Sequence, residues 1–360
     1  MQEKLAAFHL SILIYMTQVG VTILVLPRLL STHFGTNGWL SLFIISFVAT
    51  INIALISAVY RMGEGKSIFD IMERAVPKWL LYPFYVFFVC VWALIGCMTA
   101  KYYVLVFQMI AFPTMNPMIF KFAFDVLVFM LVIKSIYNIS KSATIFFWLI
   151  SWMTLLLFMF YKEFQWARLT PFLFQDSHQQ IKGFLNIYAA FLGFELSLLL
   201  IPYCDRKTKF GRSIMFGNLW TTFNYWYVGF ILFGFYGYEA LRHLQFPLLN
   251  LLAYIQLPFI QATENLLYAF ILNSAIMTSV MYFWSAKEVA QRMIPASSRL
   301  LAFIIMSVSF GIAYIPDVLS EVQHWLEYLS YLEIGIAMGL PVCLIAIIWI
   351  QGRKGKVANG

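Results

Sequence analysis

Glu195 is the residue whose setting most invites chemistry. It sits in GFELSLLLIPY, from Gly193 to Tyr203, where it is the single charge in an apolar run. An ionisable group carried into hydrocarbon is expensive unless it is paired or protonated, so it marks a functional site by default. Three uses are open to it: holding a ligand's ammonium, carrying a proton, or bonding to N–H groups freed where the helix breaks. Lys101, inside the apolar run 80–112, is the other deep charge. It has the same proton or charge role open to it, or its stem snorkels toward the outer face. Asp125 and Glu333 also fall in apolar runs, nearer an end or in a less certain window.

A second set of residues could build a pocket. Gln18, Val19, Gly20, Val21 and Thr22 stand at the centre of the run 8–30, where a plain membrane anchor would be leucine throughout. Gly20 permits an unwound turn, and such a turn at membrane depth is tolerated where it is buried in protein or lines a cavity. Close packing against another helix is the other use of such a glycine. Thr278 and Tyr282 share one helix face with Ser279 nearby, and their hydroxyls could close a pocket wall, ligate a cation, or bond between helices. Trp92 and Gly96 make a similar pair, a ring beside a gap. Unwound turns expose amides that suit a carboxylate and carbonyls that suit an ammonium, so the ligand class is a small zwitterion such as an amino acid. The candidate ligand-binding residues are Val19, Gly20, Thr22, Trp92, Gly96, Gly193, Phe194, Glu195, Ser197, Thr278 and Tyr282. Trp92 and Phe194 give that pocket an apolar wall, which points to a small or medium apolar side chain.

Enzymatic readings find little support. His9, His33, His178, His243 and His324 all lie at run ends or in loops, so no intramembrane base is expected. Gly211, Arg212 and Ser213 form a GxS triplet, but Ile214 stands where a serine-protease motif needs glycine. The four cysteines form no CxxC pair, so neither a metal site nor a disulfide framework is expected, and no cofactor is implied. The net charge of +8 is scattered between apolar runs and forms no stripe for nucleic acid.

The elements that must position these residues follow from composition. The chain is 62% hydrophobic and 11% charged, with a mean hydropathy of +0.81, which makes it an all-α polytopic membrane protein. Apolar windows predict ten spans near 8–30, 38–60, 80–112, 119–139, 143–161, 184–203, 214–236, 262–286, 299–315 and 330–350. The first has no small-residue cleavage site after it and is expected to be retained. Arg61, Lys66, Arg74 and Lys78, then Arg206, Lys207, Lys209 and Arg212, weight one side, which places both termini in the cytoplasm. The loop 61–78 reads as a short amphipathic helix or a plain charged loop. PLLNLLAYIQLP, Pro247 to Pro258, is too short to cross and is expected to be re-entrant or interfacial on the outer side. Gly335 and Gly339 make a GxxxG pattern, expected to pack within the chain, with a second subunit as the other use.

The sixth window resembles the first. With Pro27 set against Pro202, VTILVLP lies over LSLLLIP and Gly20 falls opposite Glu195. Ten spans with matching breaks in the first and sixth predict one membrane domain over 1–360 made of two inverted five-helix repeats, about 8–161 and 184–350.

The opening TQVGVTILVLPR at Thr17 to Arg28, the GFELSLLLIPY element, the hairpin, and TENLLYAF at Thr263 to Phe270 resemble the B subunit of bacterial spore germinant receptors. That family belongs to the amino acid, polyamine and organocation transporter superfamily, and the resemblance covers nearly the whole chain. It implies a leucine-transporter-like fold, and sensing of a nutrient, usually an amino acid, in the inner membrane of the dormant endospore. It also implies a membrane-embedded A subunit and a lipoprotein C subunit as partners. Where other members carry an extra charge before the eighth span, this chain has Thr263, Glu264 and Asn265. Two further readings stand beside it: a proton-coupled amino-acid transporter in which Glu195 or Lys101 cycles the proton, and a scaffold whose site has decayed.

Overall fold

The computed structural model describes residues 4–170, 174–205, 208–255 and 263–357. Helices account for the membrane-spanning elements. In chain order they are α1 (Ala7–Val19), α2 (Leu26–Phe34), α3 (Gly38–Met62), α4 (Ile68–Ala75), α5 (Lys78–Ala111), α6 (Pro117–Val132) and α7 (Ile136–Leu156). Then follow α8 (Gln180–Ala189), α9 (Ser197–Leu200), α10 (Phe210–Tyr236), α11 (Tyr238–His243), α12 (Pro247–Ala253), α13 (Thr263–Met293), α14 (Ser298–Ile312) and α15 (Leu319–Val357).

The first span is two half-helices. α1 stops at Val19 because Gly20 takes φ +35° and ψ −143°, a conformation that ends the ladder. A 3-10 turn, Thr22–Leu24, carries the chain to α2, where Pro27 occupies the first turn and needs no N–H there. The sixth span repeats the device. α8 ends at Ala189, Gly193 takes φ +117°, and α9 with the 3-10 turn Ile201–Tyr203 completes the crossing. The positive-φ glycines at the two breaks are therefore Gly20 and Gly193; the sequence alignment set Gly20 against Glu195, because the second unwound segment begins earlier relative to its proline than the first.

Packing follows from these breaks. α1 is surrounded by α7, α10 and α13, while α5 runs along α13 in the most extensive helix pairing of the fold. The outward faces carry the large apolar side chains expected against lipid, among them Phe43, Phe47, Phe87, Phe122, Trp148 and Phe303. Charges within spans are paired or bonded: Lys121 bonds Asp125 one turn on, and Lys287 Nζ donates to the Val132 carbonyl at 3.2 Å.

Several boundaries differ from the hydropathy reading. The fourth span ends at Val132 and the fifth begins at Ile136, since the Ser135 hydroxyl caps the new helix by accepting from Asn138 N–H at 3.4 Å. α15 begins at Leu319, so Glu321 and Glu327 lie on the helix rather than in a loop; Glu321 accepts from Asp317 N–H at 2.9 Å just before it. Nothing approaches within 4 Å of a Cβ placed on Gly335 or Gly339, so the GxxxG pattern faces outward and does not pack within the chain among the described residues. α12 is a short helix, while 256–258 of the expected hairpin, Arg206, Lys207, and the side chains of Thr263, Glu264 and Asn265 lie outside the described residues.

The loop 61–78 contains α4, whose Ile68, Phe69, Ile71 and Met72 are buried. Arg292, at the end of α13, lies 4.8 Å from the Phe69 ring and 3.6 Å from the Asp70 carboxylate. Gln351 of α15 donates to the Ile71 carbonyl at 3.0 Å.

Contact between α1 and α10 is close at Gly217, where an added Cβ would stand 2.6 Å from the Ser11 carbonyl oxygen and 3.0 Å from Ile14 Cβ. Gly217→Leu is expected to destabilise by about 2 kcal/mol, as overpacked interfaces do. Gly335→Leu, in open space, is expected to be silent. Thermal unfolding of the purified protein in detergent checks both, and equal effects would count against this packing.

Candidate functional site

A broken helix in hydrocarbon uncovers carbonyls that only protein can satisfy. At the end of α1 that work falls to buried hydroxyl and amide groups. The Tyr225 hydroxyl, on α10, lies 2.9 Å from the Gln18 carbonyl oxygen and 3.0 Å from the Ala190 carbonyl oxygen. One hydroxyl thus stands between the ends of both half-helices. Thr278 Oγ1, on α13, donates to the Thr17 carbonyl at 2.9 Å. Gln18 Nε2 donates to the Phe191 carbonyl at 2.5 Å and to Asn218 Oδ1 at 3.1 Å, while Gln18 Oε1 accepts from Thr221 at 2.7 Å. The breaks are therefore laced together through α10.

The second break has its own cap. Both oxygens of Glu195 accept from Gly193 N–H, at 2.8 and 2.7 Å, and Glu195 Oε1 also accepts from the Tyr282 hydroxyl at 3.3 Å. Glu195 meets a second acid, Glu333 of α15, whose two oxygens each lie 2.9 Å from Trp92 Nε1 of α5. Glu195 and Glu333 are 2% and 0% exposed, so three helices, α5, α13 and α15, and the unwound segment after α8 converge on one buried acidic pair.

Between the breaks opens a cavity of about 420 Å3. Thr17, Gln18, Gly20, Val21 and Thr22 form one wall, and Ala189, Ala190 and Leu192 form the facing one. Thr278, Tyr282 and Glu333 line it as well, with Thr99 and Tyr102 from α5. Arg28, Asn186, Gln323, His324 and Glu327 also reach it. The space is large enough for a small organic molecule. Among the described residues no three His, Cys, Asp or Glu side chains are placed to hold a metal.

Of the residues marked in the sequence, Gly20, Thr22, Thr278 and Tyr282 line this cavity. The others support it without lining it. Val19 faces a smaller neighbouring space. Trp92 holds Glu333, and Gly96 lets Phe283 and the Ser279 carbonyl approach, with a Cβ there only 3.1 and 3.2 Å from them. Gly193 is where the chain turns, and its Cβ would stand 2.8 Å from Thr17 Cγ2. Phe194 and Ser197 are fully buried in the core. Glu195 reaches the cavity through Tyr282 and Glu333 rather than directly. Lys101 is 1% exposed and its Nζ lies 3.1 Å from Met118 Sδ, so its stem does not snorkel out and its amine points toward α6. Tyr225 and Asn218 were not marked because each acts through backbone or side chains far away in the chain. The inward-facing polar positions of α10, Asn218, Thr221 and Asn224, are the sequence signal that could have found them.

Comparison with known proteins agrees with this geometry. The family model described as spore germination protein matches residues 4–322. Spore germination protein GerQB of Bacillus cereus is 24% identical over 74% of each chain. Spore germination protein A2 of Bacillus subtilis is 23% identical over 97% of each chain. Spore germination protein B2 of the same organism is 21% identical over 99% of this chain and 98% of its own. Among solved structures, Mhp1, a nucleobase-cation-symport-1 family transporter in a closed conformation with bromovinylhydantoin bound, superposes with a TM-score of 0.68. That match is 10% identical and covers 96% of this chain and 78% of Mhp1, so what it shows is the fold: two inverted five-helix repeats with the first and sixth helices broken.

Tyr225→Phe keeps the ring and removes the shared hydroxyl. Because the two carbonyls share that one proton, its loss leaves a buried carbonyl at the breaks short of a donor, and it is expected to cost about 1–3 kcal/mol. A fall in the thermal midpoint of the purified protein, with helix content unchanged by circular dichroism, is the expected result.

Proposed function

The chain belongs to the spore germination protein family, and we propose that its place there is that of a nutrient sensor. An amino acid binds in the cavity between the breaks at Gly20 and Gly193, and the bound state shifts the repeats relative to one another. The observation that supports this reading is the cavity itself, walled on two sides by unwound segments and carrying an acid, Glu333. First-turn amides after the α1 break suit a carboxylate, and the acidic pair suits an ammonium. The energy for the shift is the ligand's differential affinity for the two arrangements. The shift is passed to a membrane-embedded A subunit and a lipoprotein C subunit and triggers ion release. The chain lies in the inner membrane of the endospore, in contact with lipid, with both termini on the core side; nucleic acid has no part in it.

A second reading has one observation in its favour: the fold is shared with a transporter. In that case the chain moves its ligand with protons, and the buried carboxyls carry the charge. Uptake of labelled amino acid into vesicles, abolished when the proton gradient is collapsed, would favour transport over sensing.

The sensor reading is tested by germination dose response to an amino-acid panel, with immunoblots confirming protein level. Gly20→Trp puts a ring where a Cβ already stands 3.0 Å from Thr278 Oγ1, and is expected to abolish the response or raise the ligand requirement more than tenfold. Glu333→Gln keeps the shape of the cavity and removes its acid, so it is expected to weaken amino acids most and ligands without an amine least. An unchanged dose response in both variants would leave the chain as a scaffold.

A further inference from the structure

Gly20 also lines a second, smaller space of about 40 Å3, bounded by α1, α7, α10, α12 and α13. Most of its lining is apolar, but four polar side chains reach it: Tyr15, Thr154, Asn224 and Ser274. Asn224 Nδ2 donates to the Tyr15 hydroxyl at 2.9 Å and to Thr154 Oγ1 at 3.3 Å. Both hydroxyls act there as acceptors, which leaves their own protons to be donated elsewhere. Asn224 Oδ1 and Ser274 Oγ have no partner among the described residues, although the two side chains are only 5% and 2% exposed.

A buried acceptor or hydroxyl without a partner costs about 1–3 kcal/mol. A space lined only by hydrocarbon stays dry, whereas one with two to four polar groups and more than about 10–15 Å3 for a water's centre holds water. This space meets both conditions. We propose that it is an internal hydration site, in which ordered water accepts from the Ser274 and Tyr15 hydroxyls and donates to Asn224 Oδ1. A bare cation is the weaker occupant, because no carboxylate lines the space and neutral oxygens alone would have to offset its lost hydration. The site rests on the geometry of the break and not on the identity of any ligand in the large cavity. It puts water beside Gly20, so that the unwound turn of α1 has a small polar neighbour in place of close-packed hydrocarbon.

Ser274→Ala separates the alternatives by the sign of its effect. If water bridges the site, removing the hydroxyl takes a partner from it, and the thermal midpoint of the purified full-length protein is expected to fall by about 2 °C or more. If the space is dry, the same change removes an unsatisfied group, and a rise or no change overturns the proposal. Exchanging sodium chloride for choline chloride at equal ionic strength is expected to leave the wild-type midpoint where it was. A sodium-specific stabilisation that disappears in Ser274→Ala would overturn the proposal in favour of a cation. A high-resolution cryo-electron-microscopy map of the wild type gives the direct result. A density peak within hydrogen-bond distance of both Asn224 Oδ1 and Ser274 Oγ is expected, and an empty space overturns it.

Discussion

The rest of the structure depends on one requirement: backbone groups exposed by the two helix breaks must find partners inside the protein, since hydrocarbon offers none. The Tyr225 hydroxyl between the Gln18 and Ala190 carbonyls meets it most directly. Thr278 on the Thr17 carbonyl and Glu195 on Gly193 N–H meet it at neighbouring points. Tyr225 and Thr278 come from helices that must then lie beside a break, so the positions of α10 and α13 are consequences of satisfying the break in the first span, while Glu195 caps the second from within its own unwound segment. The cavity is what remains between two unwound segments after those demands are met.

This division of labour explains the distribution of side-chain types. α10 is apolar on average but turns Asn218, Thr221, Thr222 and Asn224 inward, toward α1 and α3. Its opposite face presents Phe216, Trp220 and Phe223 outward. Polar groups in a membrane bundle are tolerated where they bond across helices, and here they surround the broken helix. The acidic pair follows the same logic, since Trp92, Tyr282 and Gly193 supply donors to the two carboxyls from three different elements.

Much of this could be read from the sequence because the signals were local. Gly20 beside Gln18 and Thr22, and Gly193 beside Glu195, mark breaks through the backbone freedom and polarity of neighbouring residues. What escaped was long-range. Glu333 lies 241 positions from Trp92, and Tyr225 lies 207 from Gln18; no spacing rule links such pairs. Hydropathy also misplaced the N-terminal end of α15, because a helix that projects past the apolar layer keeps its hydrogen bonds while its side chains become polar. The GxxxG pattern misled for a related reason: it records that a close approach is possible, and here no part of the described chain makes it.

α4 has a mechanical consequence. It is held by Arg292 from one side and Gln351 from another, and these residues lie toward the C-terminal ends of the same helices that bring Tyr282 and Glu333 to the cavity. At 1.5 Å of rise per residue, the arm from Tyr282 to Arg292 is about 15 Å and that from Glu333 to Gln351 about 27 Å. Equal small tilts of the two rods about the cavity therefore move one grip nearly twice as far as the other. Because both grips fall on one eight-residue helix, at Asp70 and Ile71, α4 cannot follow both rods at once without turning or giving up a contact.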